Sequence, residues 1–176
     1  MLQIEEFKSA IRTGLARSNL FQVNLPTIAG SPLTTAAERN LLCKATNLPG
    51  RQIVTNERMI GMKAEKMPYA FLQDDVSMTF HVTNDYALKR YFEAWQALII
   101  DPDTYELSFK NEYARQVKIH QLDHQGFIIY TCNLLEAFPT TMNAIELNNE
   151  PNGLVEINVQ LSYRDWDTGV SVTLEE

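Results

Sequence analysis

The chain has 176 residues, and 45% of them are hydrophobic, which is enough for one domain with its own apolar core. Lys and Arg number 15 against 22 Asp and Glu, so the formal net charge is -7, and this acidic balance argues against a protein that grips nucleic acid phosphates. No apolar run reaches the roughly 18 residues of a membrane helix and no signal peptide is recognisable, so we expect a soluble protein, made in the cytoplasm, with no membrane partner.

Residues 1–18 are predicted to form an N-terminal arm or a short amphipathic helix, because apolar residues recur there at steps of four. These residues are Phe7, Ile11 and Leu15. Residues 19–25 alternate between apolar and polar side chains and predict the first strand, which Pro26 ends. The segment from 27 to 38 is rich in Gly, Ser, Pro and Thr, so we expect an exposed loop.

Residues 40–46 predict a second strand, and Leu48-Pro49-Gly50 is the turn signal that ends it. The next segment, 51–66, keeps an extended pattern but carries many charges. Such a segment is hard to bury, so it predicts a polar hairpin that projects from the domain. The charged residues singled out here are Arg51, Glu57, Arg58, Lys63, Glu65 and Lys66.

Residues 75–83 give the most regular alternation in the chain and predict a buried strand. Asn84 and Asp85 follow, and we expect them to supply the N-cap and first-turn charge of a helix that runs to Ile99. The apolar residues of this helix recur at intervals of three and four, so they share one face. We assign the packing of the helix on the sheet to Leu88, Phe92, Trp95 and Ile99.

Residues 112–122 and 127–135 predict a hairpin, residues 137–153 a polar loop, and residues 154–163 a last strand. About seven mostly antiparallel strands with one α-helix packed on the outside predict a mainly β fold, either a β-barrel or a two-sheet sandwich. Several outer strand faces are uncharged, which suits a surface that meets another subunit or lines a wet channel. Their residues are Ser77, Thr79, Thr83, Asn158, Gln160 and Ser162.

No set of residues predicts catalysis, a cofactor site or a metal site, so we expect no enzyme. His120 and His124 are four apart, but they fall at a strand end and in a turn without a third ligand, which predicts ordinary surface histidines. Asp101 and Asp103 lack the Gly and the closing Glu of a calcium loop. His81 lies on a polar strand face and is expected to be structural or interfacial. The two cysteines are expected to be reduced, mostly buried thiols.

A series of segments, taken in order, carries a family resemblance. They are Asn19-Leu20-Phe21-Gln22-Val23, then Cys43-Lys44-Ala45-Thr46-Asn47-Leu48-Pro49-Gly50, the strand into the Trp95 helix, Glu112-Tyr113-Ala114-Arg115-Gln116-Val117, Phe138-Pro139, and a final strand ending near Tyr163 and Trp166. The set resembles the tail tube protein of contractile-tailed, T4-like bacteriophages. The resemblance makes residues 19–166 one tail-tube-like β-barrel domain and leaves 167–176 as a C-terminal tail.

The resemblance implies a structural virion protein whose hexameric rings stack into the inner tube of a contractile tail, assembled in the host cytoplasm. Strands of neighbouring subunits would continue one another into a barrel that lines the lumen. The implied partners are further copies of the chain, the tail sheath protein, the baseplate tube initiator, the tape-measure protein and the tail terminator. Six copies of charge -7 give -42 per ring, so DNA would pass through without being bound.

The resemblance also implies that the hairpin at 51–67 contacts the adjacent ring, with its charges pairing across rings to set register. A hairpin that is merely solvated is the alternative. The N-terminal arm and the segment 167–176 are further candidate contacts. Two same-fold alternatives stay open, a tube-initiating baseplate protein and a secretion-system tube subunit. The alternative from another class is a small β-barrel that binds an apolar ligand under the helix.

Overall fold

The computed structural model describes residue 4 and residues 14–33, 40, 42–147 and 153–169. The predicted mainly antiparallel β fold with one long helix is confirmed. The strands are β1 (Phe21–Asn24), β2 (Cys43–Thr46), β3 (Arg51–Ile60), β4 (Lys63–Gln73), β5 (Val76–His81), β6 (Arg115–Leu122), β7 (Ile128–Met142), β8 (Glu156–Ser162) and β9 (Asp165–Asp167); the helices are α1 (Ala87–Ile99) and α2 (Lys110–Tyr113). No helix in these ranges has the length and apolarity needed to cross a membrane.

One sheet has the strand order β1-β6-β7-β8-β5-β2, with β9 paired to β7 beside it, and all its pairs are antiparallel. Strands β3 and β4 form a separate two-stranded sheet. Within the described residues, β1 and β2 each have one strand neighbour, so they are the edge strands of the large sheet.

Strand β7 is longer than the sequence predicts, because it runs through a proline. The prediction ended this strand near residue 135 and began a loop at 137, which is wrong. Glu136 adopts the left-handed conformation with φ 53°. Ala137 still pairs with Arg115 of β6, and from Phe138 onward β7 pairs with β8. Pro139 is tolerated because the register of β7 and β8 shifts at that point, a place where a missing backbone donor breaks no ladder.

The core lies between α1 and the sheet. Alternate residues of β5 and β8 point into it, and α1 covers them with its aromatic stripe. The rings of Phe80 and Phe92 lie 5.4 Å apart, while the Trp95 indole donates to the backbone oxygen of Tyr113 at 2.8 Å. The fully buried residues of these three elements are Val76, Met78, Phe80, Leu88, Tyr91, Phe92, Trp95, Ile157, Val159 and Leu161.

Helix α1 begins at Ala87, three residues after the predicted cap at Asn84. Tyr86 occupies the cap position in a left-handed conformation, with φ 53° and no side-chain cap bond. The Asp85 carboxylate instead accepts the amide hydrogen of Ala87 at 3.3 Å. The negative charge of Asp85 therefore lies just before the first turn, where its interaction with the positive end of the helix dipole is favourable.

The loop after β1 is exposed, as its composition predicts, at Thr27, Ala29, Gly30 and Pro32, but two of its apolar residues are buried. Ile28 and Leu33 are 4% and 6% exposed and belong to the core cluster, so these two side chains anchor the loop to the body of the domain. The rest of the predicted loop, residues 34–38, lies outside the described residues. The predicted N-terminal helix, except for position 4 and residues after 13, and the end of the C-terminal tail from 170 also lie outside them.

Both cysteines are free thiols. Cys132 is buried and Cys43 is half-buried. Burial raises the pKa of Cys43 to about 12 and that of Cys132 to about 11. Because the thiolate is the reactive form, both thiols are slow nucleophiles at neutral pH.

Candidate assembly surface

In the described part of the chain, no other helix or strand covers the hairpin of β3 and β4 beyond its base. Its strands pair with each other from Arg51–Gln73 at the base to Ile60–Lys63 next to the turn. Almost every side chain described in it is exposed; Val54 and Gln73 are half-buried. A two-stranded hairpin alone is marginally stable in water, so this long arm is a surface that lacks its packing partner in the single chain.

Large apolar side chains stand on this hairpin, and the sequence reasoning overlooked them in favour of the charges. Ile53 is 64% exposed and lies opposite Phe71, which is 57% exposed. The exposed apolar residues of the hairpin and its turn are Ile53, Met59, Met62, Met67, Tyr69, Phe71 and Leu72. Exposed large apolar side chains in this number mark the hairpin as a candidate protein interface. The run Tyr69-Ala70-Phe71-Leu72 could have predicted this surface from the sequence, because three large apolar residues are unusual in a strand that is fully exposed to solvent.

The predicted contact charges divide into two groups. Glu57 lies directly opposite Lys66, and Arg58 lies opposite Glu65, so these four charges have opposite-sign neighbours within the hairpin. Lys63 stands next to the turn. Exposed cross-strand pairs contribute about 0–1 kcal/mol, so these charges add little to the stability of the hairpin.

Arg51 is separated from the other five charges and lies at the base of the hairpin. Its guanidinium donates from Nη2 to Asp165 Oδ1 at 2.9 Å, and Gln73 Nε2 donates to the same oxygen at 2.8 Å. The guanidinium also lies over two rings, 5.0 Å from the centre of Phe71 and 5.4 Å from that of Trp166. Arg51 therefore has its partners within its own chain.

The carboxyl group of Asp165 is held ionised by its surroundings. The backbone N–H of Trp166 lowers its pKa most, and Gln73 and Arg51 lower it further. A second contact lies at the other strand of the hairpin, where the Tyr163 hydroxyl donates to the backbone oxygen of Asp74 at 2.8 Å. We call Arg51, Gln73, Tyr163, Asp165 and Trp166 the hairpin clamp.

The sheet face opposite the core carries a hydrogen-bonded polar ladder across β5 and β8. Asn158 Nδ2 donates to Ser77 Oγ at 2.9 Å and to Thr79 Oγ1 at 3.0 Å. At one end Lys44 pairs with Glu156 at 2.6 Å, and this bond lowers the pKa of Glu156. Three residues of the predicted uncharged face, Ser77, Thr79 and Asn158, are thus bonded to one another.

His120 is a buried residue and not the surface histidine that its position predicts. It is 7% exposed. Its Nε2 lies 3.1 Å from Asn24 Nδ2 and its Nδ1 lies 2.9 Å from Thr131 Oγ1. Asn40 donates to Asn24 Oδ1 at 2.7 Å, which fixes that amide, so His120 Nε2 accepts and Nδ1–H donates to Thr131. Burial, and then the charge of Lys118, lower the pKa of His120.

The three histidines lie apart from one another in their roles within the described residues. His120 and His124 do not come together on a third ligand, and the described part of the chain has no group of three His, Cys, Asp or Glu that could hold a metal ion. His81 lies on the polar face, with Nδ1 3.7 Å from Glu156 Oε1.

The outward face of α1 borders an apolar groove. Leu88, Phe92 and Trp95 lie in the core, but Ile99 is half-buried outside it. The groove has a volume of about 820 Å³ and is lined by Glu93, Ala94, Gln96, Ala97, Ile99, Ile100, Pro102, Phe138, Pro139 and Thr140. The space beneath the helix is filled by aromatic rings, so a ligand site under a helical lid finds no room among the described residues.

Comparison with known proteins gives one family and a set of solved structures. The family model described as phage tail tube protein matches residues 16–169. No curated protein matches the sequence.

Three cryo-EM structures illustrate the shared fold. A chain from the sheath/tube terminator of the extracellular contractile injection system PVC, in its extended state, gives a TM-score of 0.67 at 13% identity, covering 89% of this chain and 97% of that one. A chain from the anti-feeding prophage baseplate gives 0.65 at 16% identity, with 87% and 94% covered. One from the PVC sheath-tube complex gives 0.62 at 14% identity, with 91% and 97% covered.

Proposed function

The chain belongs to the phage tail tube protein family, and from this premise we propose that it forms hexameric rings that stack into the inner tube of a contractile tail. It is a structural component of the virion tail. We infer further that it acts without catalysis and that its tube is assembled in the host cytoplasm around the tape-measure protein.

The uncovered hairpin is the observation that carries this proposal. The hairpin exposes seven large apolar side chains, and in a chain that stays a monomer this surface would lower solubility. A ring stacked on another ring removes that surface from water. The hairpin is therefore the proposed contact between rings, with its apolar side chains supplying the binding energy and Glu57, Arg58, Lys63, Glu65 and Lys66 setting the register.

The two edge strands support closure of a ring. Strands β1 and β2 stand at opposite ends of the sheet, and an exposed strand edge pairs readily with another. Pairing β1 of one copy with β2 of the next would join six sheets into a closed barrel. Such a head-to-tail contact closes when its rotation suits a ring.

The polar ladder is the proposed lining of the lumen. Ser77, Thr79 and Asn158 bond to one another, so they have few groups left to hold a passing polymer. The acidic net charge of the chain adds repulsion to DNA phosphates. Together they give a conduit through which the genome passes at ejection without being bound.

The remaining proposed partners are the sheath, the baseplate initiator and the tail terminator. The structures that share the fold come from a sheath-tube complex, a baseplate and a terminator, and these assemblies support partners of those three kinds. The apolar groove beside α1 is a surface that such partners could cover.

Negative-stain electron microscopy of the purified full chain tests the proposal. We expect rings or tubes of uniform bore as the concentration rises. A stable monomer at high concentration that also fails to extend from any added tube end would contradict it.

A tube-initiating baseplate protein is the second candidate, favoured by the similarity to a chain of the anti-feeding prophage baseplate. The same grids separate the two functions. An initiator would form single rings and cap one end of a tube, whereas a tube subunit extends the tube by itself.

A further inference from the structure

The hairpin clamp ties both strands of the hairpin to one short segment of the body. On the β3 side Arg51 bonds Asp165 at 2.9 Å. On the β4 side Gln73 bonds the same carboxylate oxygen at 2.8 Å, and the backbone oxygen of the next residue accepts the Tyr163 hydroxyl at 2.8 Å. Two strands held at neighbouring points leave the hairpin little freedom to swing.

The chemistry of the clamp favours one orientation over many. A guanidinium is planar and bonds a carboxylate in a fixed geometry, and it stacks on aromatic faces at the same time. Arg51 uses both properties, since it bonds Asp165 while lying over Phe71 of the hairpin and Trp166 of the body. A surface ion pair alone contributes little, but here one charge, one amide and two rings converge on a single joint.

Trp166 is held in this joint by packing and not by its own hydrogen bond. Its Nε1 is buried and has no acceptor among the described residues. Burying a donor without a partner is unfavourable, so the position is maintained by the surrounding contacts, with Arg51 over the ring.

We propose that Arg51, Asp165 and Trp166 are positioning residues that fix the direction of the hairpin and so prepare it for the next ring. The proposal deepens the proposed function and rests on the hairpin being the contact between rings. An arm already in its bound orientation loses less freedom on association than one that swings. The clamp therefore lowers the concentration at which tubes form without contributing side chains to the interface.

The direct test measures the hairpin in the free subunit. Spin labels are placed at Met62→Cys in the turn and at Tyr105→Cys on the body, both exposed positions, and their distance distribution is recorded by pulsed electron paramagnetic resonance at a concentration below assembly. The native thiols label slowly because their pKa values are raised. We expect one narrow distance distribution in the doubly labelled chain without further substitutions.

Asp165→Asn is the test variant and Asp167→Asn is its matched control. Asp167 lies in the same short strand but bonds Asn133 at 2.7 Å, away from the hairpin. We expect a broad distance distribution for Asp165→Asn and a narrow one for Asp167→Asn. Combining Arg51→Asp with Asp165→Arg restores an ion pair with its charges exchanged, so its distribution should be narrower than that of Asp165→Asn. Equal distributions for Asp165→Asn and its background, or equal broadening in both Asn variants, would overturn the clamp.

The assembly arm compares critical concentrations for tube formation. We expect Asp165→Asn to raise that concentration about tenfold with an unchanged melting temperature of the domain. A broad distance distribution with an unchanged critical concentration overturns the proposal, provided that Ile53→Ser still raises it. If neither Ile53→Ser nor Asp165→Asn changes assembly, the failure belongs to the proposed ring contact, and the role inferred for the clamp in assembly falls with it.

Discussion

Replacing Ile53 by Ser removes apolar surface from the proposed ring contact without disturbing the core. Full burial of an Ile side chain stabilises by about 1.5–3 kcal/mol, and Ile53 is 64% exposed in the single chain. Burial of that exposed part in the tube is therefore worth roughly 1–2 kcal/mol for each subunit. At tenfold for every 1.4 kcal/mol, the critical concentration for tube formation should rise roughly 5–30-fold.

The assay is sedimentation of tubes over a concentration series, with the soluble fraction read as the critical concentration. The comparison variant combines Glu57→Gln with Lys66→Gln, which removes two opposite charges from facing positions. We expect a change below fivefold for this pair, because exposed ion pairs contribute about 0–1 kcal/mol. If the charge variant raises the critical concentration more than Ile53→Ser, the assignment of binding energy to the apolar side chains is wrong.

Three further predictions concern the core, the buried histidine and the lumen. Phe92→Ala should destabilise the free subunit by about 3–5 kcal/mol, measured by urea unfolding, because it empties a fully buried ring site beneath α1. The pKa of His120 is lower in the folded state, so its contribution to stability is complete above the unfolded pKa of about 6.5 and is lost as the pH falls from that value toward the lower folded pKa. Melting temperatures between pH 7.5 and 5 should therefore drop less steeply for His120→Asn; equal slopes would show that another group causes the acid sensitivity. Gln160→Lys on the polar face should make assembled tubes retain DNA at low salt and release it at high salt, in a filter-binding assay. Gln96→Lys on α1 is the control for the outer wall, and equal retention by both tubes would place Gln160 outside the lumen.

The alternation of β5 and β8 and the stripe of α1 could be predicted from sequence because each pattern is local. Val76, Met78 and Phe80 are buried at every second position, as the period of two requires. Strand β7 was cut short because Pro139 is a strand breaker unless the register shifts beside it. That shift depends on β8, which lies later in the chain.

The candidate assembly surface could be predicted only in part, because several of its contacts also join residues that are distant in the sequence. The hairpin could be predicted as a projecting charged segment. The role of Arg51 could not, because its hydrogen-bond partner, Asp165, lies 114 residues further along the chain. His120 was predicted to be an ordinary surface histidine at a strand end, because its contact with Asn24, 96 residues away, leaves no sign in the local sequence. Long-range pairs of this kind carry no periodic signal, whereas the exposed Phe71 and Ile53 lay in the sequence and were passed over in favour of charges.

The pairing of β1 with β6 has a consequence for synthesis of the chain. Phe21 pairs with Gln121, so the first strand leaves the ribosome about 100 residues before its partner. At roughly 5–20 residues per second this delay lasts about 5–20 s, and during it β1 is a nascent strand with neither edge covered. After β6 is made, β1 still has one unpaired edge among the described residues. We therefore expect newly folded copies to associate soon after synthesis rather than to accumulate as monomers.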